Sequence, residues 1–341
     1  MTDEKLKFTV VITSYNYENY IGAAIESALG QTRAIDQVLV IDDGSSDGSR
    51  EIISGYKDRV SAIFQENAGM IGAWNRAYDF VEGDIVIYLD ADDLLLSNAA
   101  EEIEKRWNSQ LSKIQFDLEI IDEHGELLGR RFCDFRSEQS AKQTHDLFLR
   151  TGTYIWPVTS GNAYARKFLD QLMPISPPGG CDGVLNTLAP LYGDVATITA
   201  PLGQYRLHGK NKSLHGESNR VRDFSKAIRL RHEEFEVLRQ HAETLGVKLS
   251  GENMMDNELT FVSYRMMAKK LHQEYWKSET DTVARLWRLG VECAYRENRK
   301  IRKKIMHMVW LSVFALTNKS LAEQLVNLRY RRAEIIKKFT R

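Results

Sequence analysis

The chain has 341 residues, 43% of them hydrophobic, and a formal net charge of −1, which suits one large domain with an appendage or two modest ones. Its three cysteines, Cys133, Cys181 and Cys293, are widely spaced and form no Cys-x-x-Cys, which excludes a disulfide framework and a zinc site of the usual spacing. The near-neutral total hides an asymmetry: residues 218–341 carry 26 Lys/Arg against 15 Asp/Glu, about +11, leaving about −12 for residues 1–217.

Met1-Thr-Asp-Glu-Lys enters the apolar run Phe8 to Thr13 without a basic leader and a 7–15-residue apolar core, so secretion is not expected and a reducing cytoplasm is. Phe8–Thr13 reads as a strand. Ile21, Ala24, Ile25, Ala28 and Leu29 follow at spacings that put all five on one helical face. Gln37–Ile41 is a second strand; Ser46 or Asp47 is placed to cap a helix over Gly48–Gly55. Ser61–Phe64 predicts a third strand, Met70–Val81 a third helix and Ile85–Leu89 a fourth strand. This alternation is that of a parallel sheet with right-handed crossovers. Residues 114–128 then read as a hairpin around Gly125, where the sheet becomes mixed. A loop-rich region follows with most of the prolines, and Val195–Thr199 is a short strand. Beyond Gly216 no proline occurs and helical patterning dominates, which places a boundary near residue 217.

Asp90-Ala91-Asp92-Asp93 closes the fourth strand as Asp42-Asp43-Gly44-Ser45 closes the second. Ligands of open parallel sheets bind beyond the carboxyl ends of the strands, and adjacent carboxylates repel unless a cation or protons neutralise them. A divalent metal carrying a diphosphate accounts for both turns; a solvated surface turn is the bland alternative. His208 lies beside Arg206, Lys210 and Lys212, cations suited to a diphosphate, although a lone histidine is more often structural than a ligand. Asp182, between Gly180 and Gly183, reads either as a helix cap or as a general base on a mobile loop, able to take a proton from an attacking hydroxyl.

Seven elements occur in one order: Val10–Asn16, Val40–Ser49, Asn67–Gly69 with Asn75, Tyr88–Asp93, Ser160–Ala163, Cys181–Asp182 and Tyr205–Ser213. Over residues 7 to 215 the chain thereby resembles the family 2 glycosyltransferases of GT-A fold. The resemblance implies a Rossmann-like three-layer α/β sandwich with a mostly parallel mixed sheet, here followed by a C-terminal α-helical extension. It further implies that Thr13, Ser14 and Tyr15 line the nucleotide pocket with Asn67 and Asn75, that Asp42 hydrogen-bonds the base, usually uracil, and that Asp90 contacts ribose or sugar. Asp92 would bind the metal, Mn²⁺ or Mg²⁺. His208 would add a metal or diphosphate contact, and Arg206 and Lys210 would face the diphosphate. Asp182 falls on the second residue of the Glu-Asp pair that supplies the family's base, with Cys181 in place of the glutamate. Trp74 stands where an arginine is common. The implied reaction moves a sugar with inversion from a nucleoside diphosphate donor, a UDP-sugar by preference, to a glycan or lipid-linked glycan hydroxyl.

Arg296–Lys304 is strongly basic and Ile305–Leu316 mostly apolar, twelve residues where a span needs about 20. A core helix with a basic start and a helix on an anionic membrane, anchored by the cations and Trp310, are both open. Contact with the inner face of the cytoplasmic membrane through residues 296–341 is an expectation of the second. Other classes fit less well. A dinucleotide-binding Gly-x-Gly-x-x-Gly is replaced by Ser14-Tyr-Asn-Tyr-Glu18. A nucleic-acid-binding protein acting through its basic tail would leave the acidic turns unexplained, so no nucleic acid is expected. A catalytically silent sugar-nucleotide-binding module is kept open by the altered Cys181-Asp182 pair.

Overall fold

The computed structural model describes residues 5–135, 137, 140–176, 181–208, 223–249, 254–276, 278–297 and 300–339. Two compact units are present, one formed by Met1–Asp146 with Trp156–Arg206, the other by Leu147–Ile155 with Leu207–Arg341. Residue 217 itself lies outside the described residues.

In chain order the first unit contains β1 (Phe8–Ser14), α1 (Ile21–Leu29), β2 (Gln37–Asp43), α2 (Ser49–Ser54), β3 (Ser61–Gln65), α3 (Gly69–Tyr78), β4 (Ile85–Asp90), β5 (Leu94–Leu95), α4 (Ala99–Glu104), β6 (Leu111–Ile121) and β7 (Leu127–Arg131). After α5 (Ala141–Thr151), which runs across the division, come β8 (Asn162–Ala165), α6 (Arg166–Leu169), α7 (Cys181–Tyr192) and β9 (Asp194–Arg206). The strands form one mixed sheet of order β3-β2-β1-β4-β8-β6-β9-β5, with β7 paired to β6. The half from β3 to β4 is parallel, and β8 enters antiparallel to both β4 and β6. The parallel strands β1, β2 and β4 are buried along nearly their whole length, as expected of strands covered on both faces. On α1, Ile21, Ala24, Ile25 and Ala28 are the buried face.

Three local expectations are corrected. The strand read as Val195–Thr199 extends over thirteen residues to Arg206; register shifts around Phe116 and Asp117 of β6 let the partner strand continue past Pro201, since a bulge absorbs a residue that cannot donate to the ladder. The N-cap of α2 is Gly48, not Ser46 or Asp47, although Asp47 Oδ1 still accepts the Ser49 amide at 3.0 Å. Asp182, read from sequence as a helix cap or as a base on a mobile loop, lies in the first turn of α7.

The second unit is helical: α8 (Ser225–Thr244), α9 (Leu259–Lys270), α10 (Val283–Arg296), α11 (Ile301–Leu316) and α12 (Lys319–Phe339). Buried Arg265 is held by both carboxylate oxygens of buried Asp281, at 2.7 and 2.6 Å, and by Asp256 at 2.6 Å. Gly290 of α10 lets α11 approach closely, because a Cβ there would meet Leu311 Cδ1 at 2.8 Å. Trp310, half-buried, stacks on Phe314 and lies under the Arg329 guanidinium, 4.0 Å from its ring centroid. No helix of the described residues is long and apolar enough to cross a membrane.

Candidate active site

Sheet register brings the predicted residues together. Thr13 at the end of β1 is the partner of Asp90 on β4, and Ser14 is the partner of Asp42 on β2. Parallel strands end at one edge, so the two acidic turns share it.

The turn after β1 is fastened to the turn after β2. Asn16, at φ 61°, donates its amide to Ser45 Oγ at 2.9 Å and accepts the Ser46 amide on Oδ1 at 2.8 Å; Glu18 and the Asp47–Gly48 segment add two more bonds. Asparagine tolerates this left-handed backbone better than most residues. Asp42 is fully buried: Oδ1 accepts the Ser45 amide at 3.0 Å and Arg50 Nε at 2.6 Å, while Oδ2 has no partner among the described residues. Ser14 Oγ is likewise buried without a partner among them. Such groups carry a desolvation cost unless a ligand satisfies them. Asp43 Oδ1 accepts Gln65 Nε2 and the Ala68 amide at 2.7 and 2.8 Å, drawing in the segment that carries exposed Asn67. Gly44, at φ 82°, lets Asn67 approach so closely that a Cβ would lie 2.7 Å from its nitrogen. Gly44, Ser45, Arg50, Phe64, Gln65, Glu66 and Asn67 line a cleft of about 470 Å³. Tyr15 is exposed.

At the end of β4, Asp90, Asp92 and Asp93 offer carboxylate oxygens within 4.8 Å of one another. Burial, then the charges of Asp92 and Asp90, pushes the Asp93 carboxyl well above its ordinary range. Tyr17 feels the same cluster: burial first, then Asp92, Asp90 and Asp93, raises its phenol. An all-oxygen set of mutually repelling carboxylates suits a hard divalent cation. Asp93 is not positioned as the others are. Its Oδ2 accepts Ser160 Oγ at 2.6 Å and its Oδ1 the Arg206 amide at 2.9 Å, both from chain that follows the motif by many residues.

Asp182 is half-buried, and its Oδ1 accepts the Gly183 amide at 3.0 Å. Burial raises its carboxyl; that bond and the charge of Lys113 oppose the rise. Lys113, the third residue of β6, is fully buried, and burial pushes its ammonium well below its ordinary range. Its Nζ donates to Asn186 Oδ1, which also accepts the Tyr164 hydroxyl at 3.2 Å. Asn186 stands one turn after Asp182 on α7, on the same helical face.

Residues 9–167 match the family profile described as Glycosyl transferase family 2. An uncharacterized glycosyltransferase of Nostoc sp. is 33% identical over 225 residues, 62% of this chain and 68% of that protein. The chain belongs to glycosyltransferase family 2. An Escherichia coli protein named UDP-Glc:alpha-D-GlcNAc-diphosphoundecaprenol beta-1,3-glucosyltransferase is 35% identical over 33% of this chain and 46% of its own length. A putative teichuronic acid biosynthesis glycosyltransferase of Bacillus subtilis is 34% identical over 27% of this chain and 38% of its own. The chain thus matches under half the length of these two relatives. Residues 1–349 of Staphylococcus aureus TarS, solved in complex with UDP-GlcNAc, superpose with a TM-score of 0.53 over 96% of this chain and 92% of that one, at 18% identity. The fold is that of the GT-A glycosyltransferases.

Within this family 2 chain two predicted contacts, Arg206 and Asn75, have other partners. Arg206, expected at the diphosphate, is buried: Nε donates to the Asp92 carbonyl at 2.9 Å, its Nη1 to the carbonyls of Asp122 and Glu123 at 3.3 and 3.4 Å, and its guanidinium stacks on Tyr20. It braces the acidic turn from behind. Asn75 exchanges two 2.8 Å bonds with the Ile175 backbone, tying α3 to the segment before α7. His208 is half-buried two residues past β9 and falls in the second unit. Lys210 lies outside the described residues. Trp74, where the family often has arginine, is buried and stacked on Tyr88 at 3.8 Å.

The sequence reading passed over Asp93, Ser160, Arg50 and Lys113 as site residues. Asp93 sat inside the quoted motif; its pairing with Ser160, by contrast, has no local signature. Lys113 gave no such signal, since it stands between Ser112 and Ile114, just ahead of the segment read as a hairpin.

Proposed function

We propose that this enzyme transfers a sugar with inversion from a nucleoside diphosphate donor, by preference a UDP-sugar, to a hydroxyl of a glycan or lipid-linked glycan, and that it requires a divalent metal. The observation that carries the reading is the juxtaposition of Asp42, with its buried unpartnered oxygen, and the Asp90, Asp92, Asp93 cluster on one sheet edge, joined through the register of Thr13 and Ser14. The first arrangement suits an imide N–H of a base, and the second a cation beneath a diphosphate. The relatives' names and the UDP-GlcNAc complex of TarS support UDP and a cell-envelope acceptor.

Asp90 and Asp92 would hold Mn²⁺ or Mg²⁺, which when bound neutralises charge on a departing diphosphate. Asp42 accepts from the base and so orients the nucleotide. Thr13, Ser14, Tyr15 and Asn67 border it. Asp182 receives the acceptor's proton as the hydroxyl attacks the anomeric carbon from the face opposite the leaving group, and one displacement gives one inversion. A lipid-linked acceptor would be met at the cytoplasmic face of a membrane.

Calorimetric titration of UDP with and without Mn²⁺, on the wild type and on Asp92→Asn, tests the reading. Metal-enhanced binding abolished by the substitution is the expected result. Failure of UDP, GDP and dTDP alike to bind would sink it, and donor binding without turnover of any acceptor would leave a silent binding module.

A further inference from the structure

We infer that α11 docks the enzyme on an anionic phospholipid bilayer through an apolar stripe that the sequence reading did not single out. Ile301, Ile305, Val309, Val313 and Leu316 are 64, 50, 56, 51 and 90% exposed. Their spacings of four, four, four and three residues put them on one helical face. Leu311 and Phe314 form the opposite, buried face, against which Gly290 of α10 packs. Four consecutive turns of branched aliphatic side chains facing water are unusual on a monomer's surface.

Charge identifies the occupant. From Lys300 to Ser320 the chain carries Lys300, Arg302, Lys303, Lys304 and Lys319 and no aspartate or glutamate. Exposed Arg302 lies at the start of the apolar stripe itself. A second copy would bring the same cations to the interface with no carboxylate from this helix to meet them, whereas an anionic lipid surface receives the apolar side chains and the cations together. Sixteen residues of helix lying in the interface plane need not span the bilayer. The inference does not depend on the transferase reaction, since it concerns only how the second unit meets a surface.

Co-sedimentation of the full chain with phosphatidylcholine vesicles, and with vesicles containing about 30 mol% phosphatidylglycerol, tests it. The wild type should pellet with the anionic vesicles, be released as salt rises, and stay in solution with the neutral ones. Val309→Asp with Val313→Asp should weaken partitioning by about tenfold or more, and Arg302→Glu should weaken it while leaving UDP binding unchanged. The salt titration needs no variant, so a folding defect in the double mutant leaves the inference open to refutation. No binding to anionic vesicles, equal binding to neutral ones, or self-association abolished by Val309→Asp would overturn it. Loss of nucleotide binding with vesicle binding intact would count against the proposed reaction alone.

Discussion

Ser160 Oγ donates to Asp93 Oδ2 at 2.6 Å, and the same hydroxyl accepts the Asp90 amide at 3.1 Å. One side chain from the turn before β8 thus holds both ends of the acidic turn. Asp93, buried beneath, is a scaffold for the carboxylates beside it. Ser160→Ala leaves the amide and the carboxylate each without this partner, at a cost of about 1–3 kcal/mol. Urea denaturation should show a lower midpoint with an unchanged slope, and metal-enhanced UDP binding should weaken with it. Unchanged values for both would mean that the turn is fixed without Ser160.

Asp42 uses one oxygen for Ser45 and Arg50, and the other is buried without a partner among the described residues. Asp42→Asn preserves an oxygen for the first pair and puts an amide donor in place of the second. A base N–H would then meet a donor, so UDP affinity should fall by about tenfold to a hundredfold, or about 1–3 kcal/mol, with some loss of thermal stability as Arg50 loses its buried anionic partner. Full UDP affinity in this variant would remove Asp42 from the nucleotide site.

In the helical unit, Arg265 is bound to Asp281 and Asp256, and Arg285 reaches the same two carboxylates at 2.7 and 2.5 Å. Arg265→Met would leave Asp281, fully buried, with Arg285 as its remaining guanidinium partner. Removing one member of a buried pair costs about 3–5 kcal/mol. A fall of that size in unfolding free energy, by chemical denaturation, is expected; a neutral result would show that Arg285 alone suffices.

The strands and the edge they share were legible because a buried parallel strand reads as a continuous apolar run, and because two such runs ended in aspartates. Local spacing carried that much. The roles of Arg206 and Asn75 were not legible: each has the composition of a ligand contact, yet Arg206 is committed to backbone carbonyls and Asn75 to the Ile175 backbone, partners set by tertiary approach. Ser160 was visible only as part of a motif. Its bond to Asp93 spans 67 residues, a distance over which residue spacing holds no geometric information. On α11 the sequence showed an apolar run with a basic start but not which side faces outward.

Asp182 and Lys113 bear on pH. Burial raises the Asp182 carboxyl and Lys113 opposes the rise. A base must be ionised to accept a proton, so activity should fall as pH drops through a value above the ordinary aspartate range near about 4. Lys113→Met removes the opposing cation and should move that acidic limb to higher pH; Lys113→Arg, which restores charge, should move it back. A structural lysine would change stability without moving the limb. The linkage sign is fixed as well. With its folded pKa raised, Asp182 contributes stability that is fully present below its unfolded pKa and lost as pH rises through the folded one. At neutral pH its ionised form therefore costs stability, and Asp182→Asn should unfold no more easily than the wild type while kcat drops by about 10²- to 10⁴-fold. A variant that is at least as stable and nearly inactive, with donor KM little changed, is what a base held in a costly ionised state for catalysis requires. Retained kcat would assign the proton to another group.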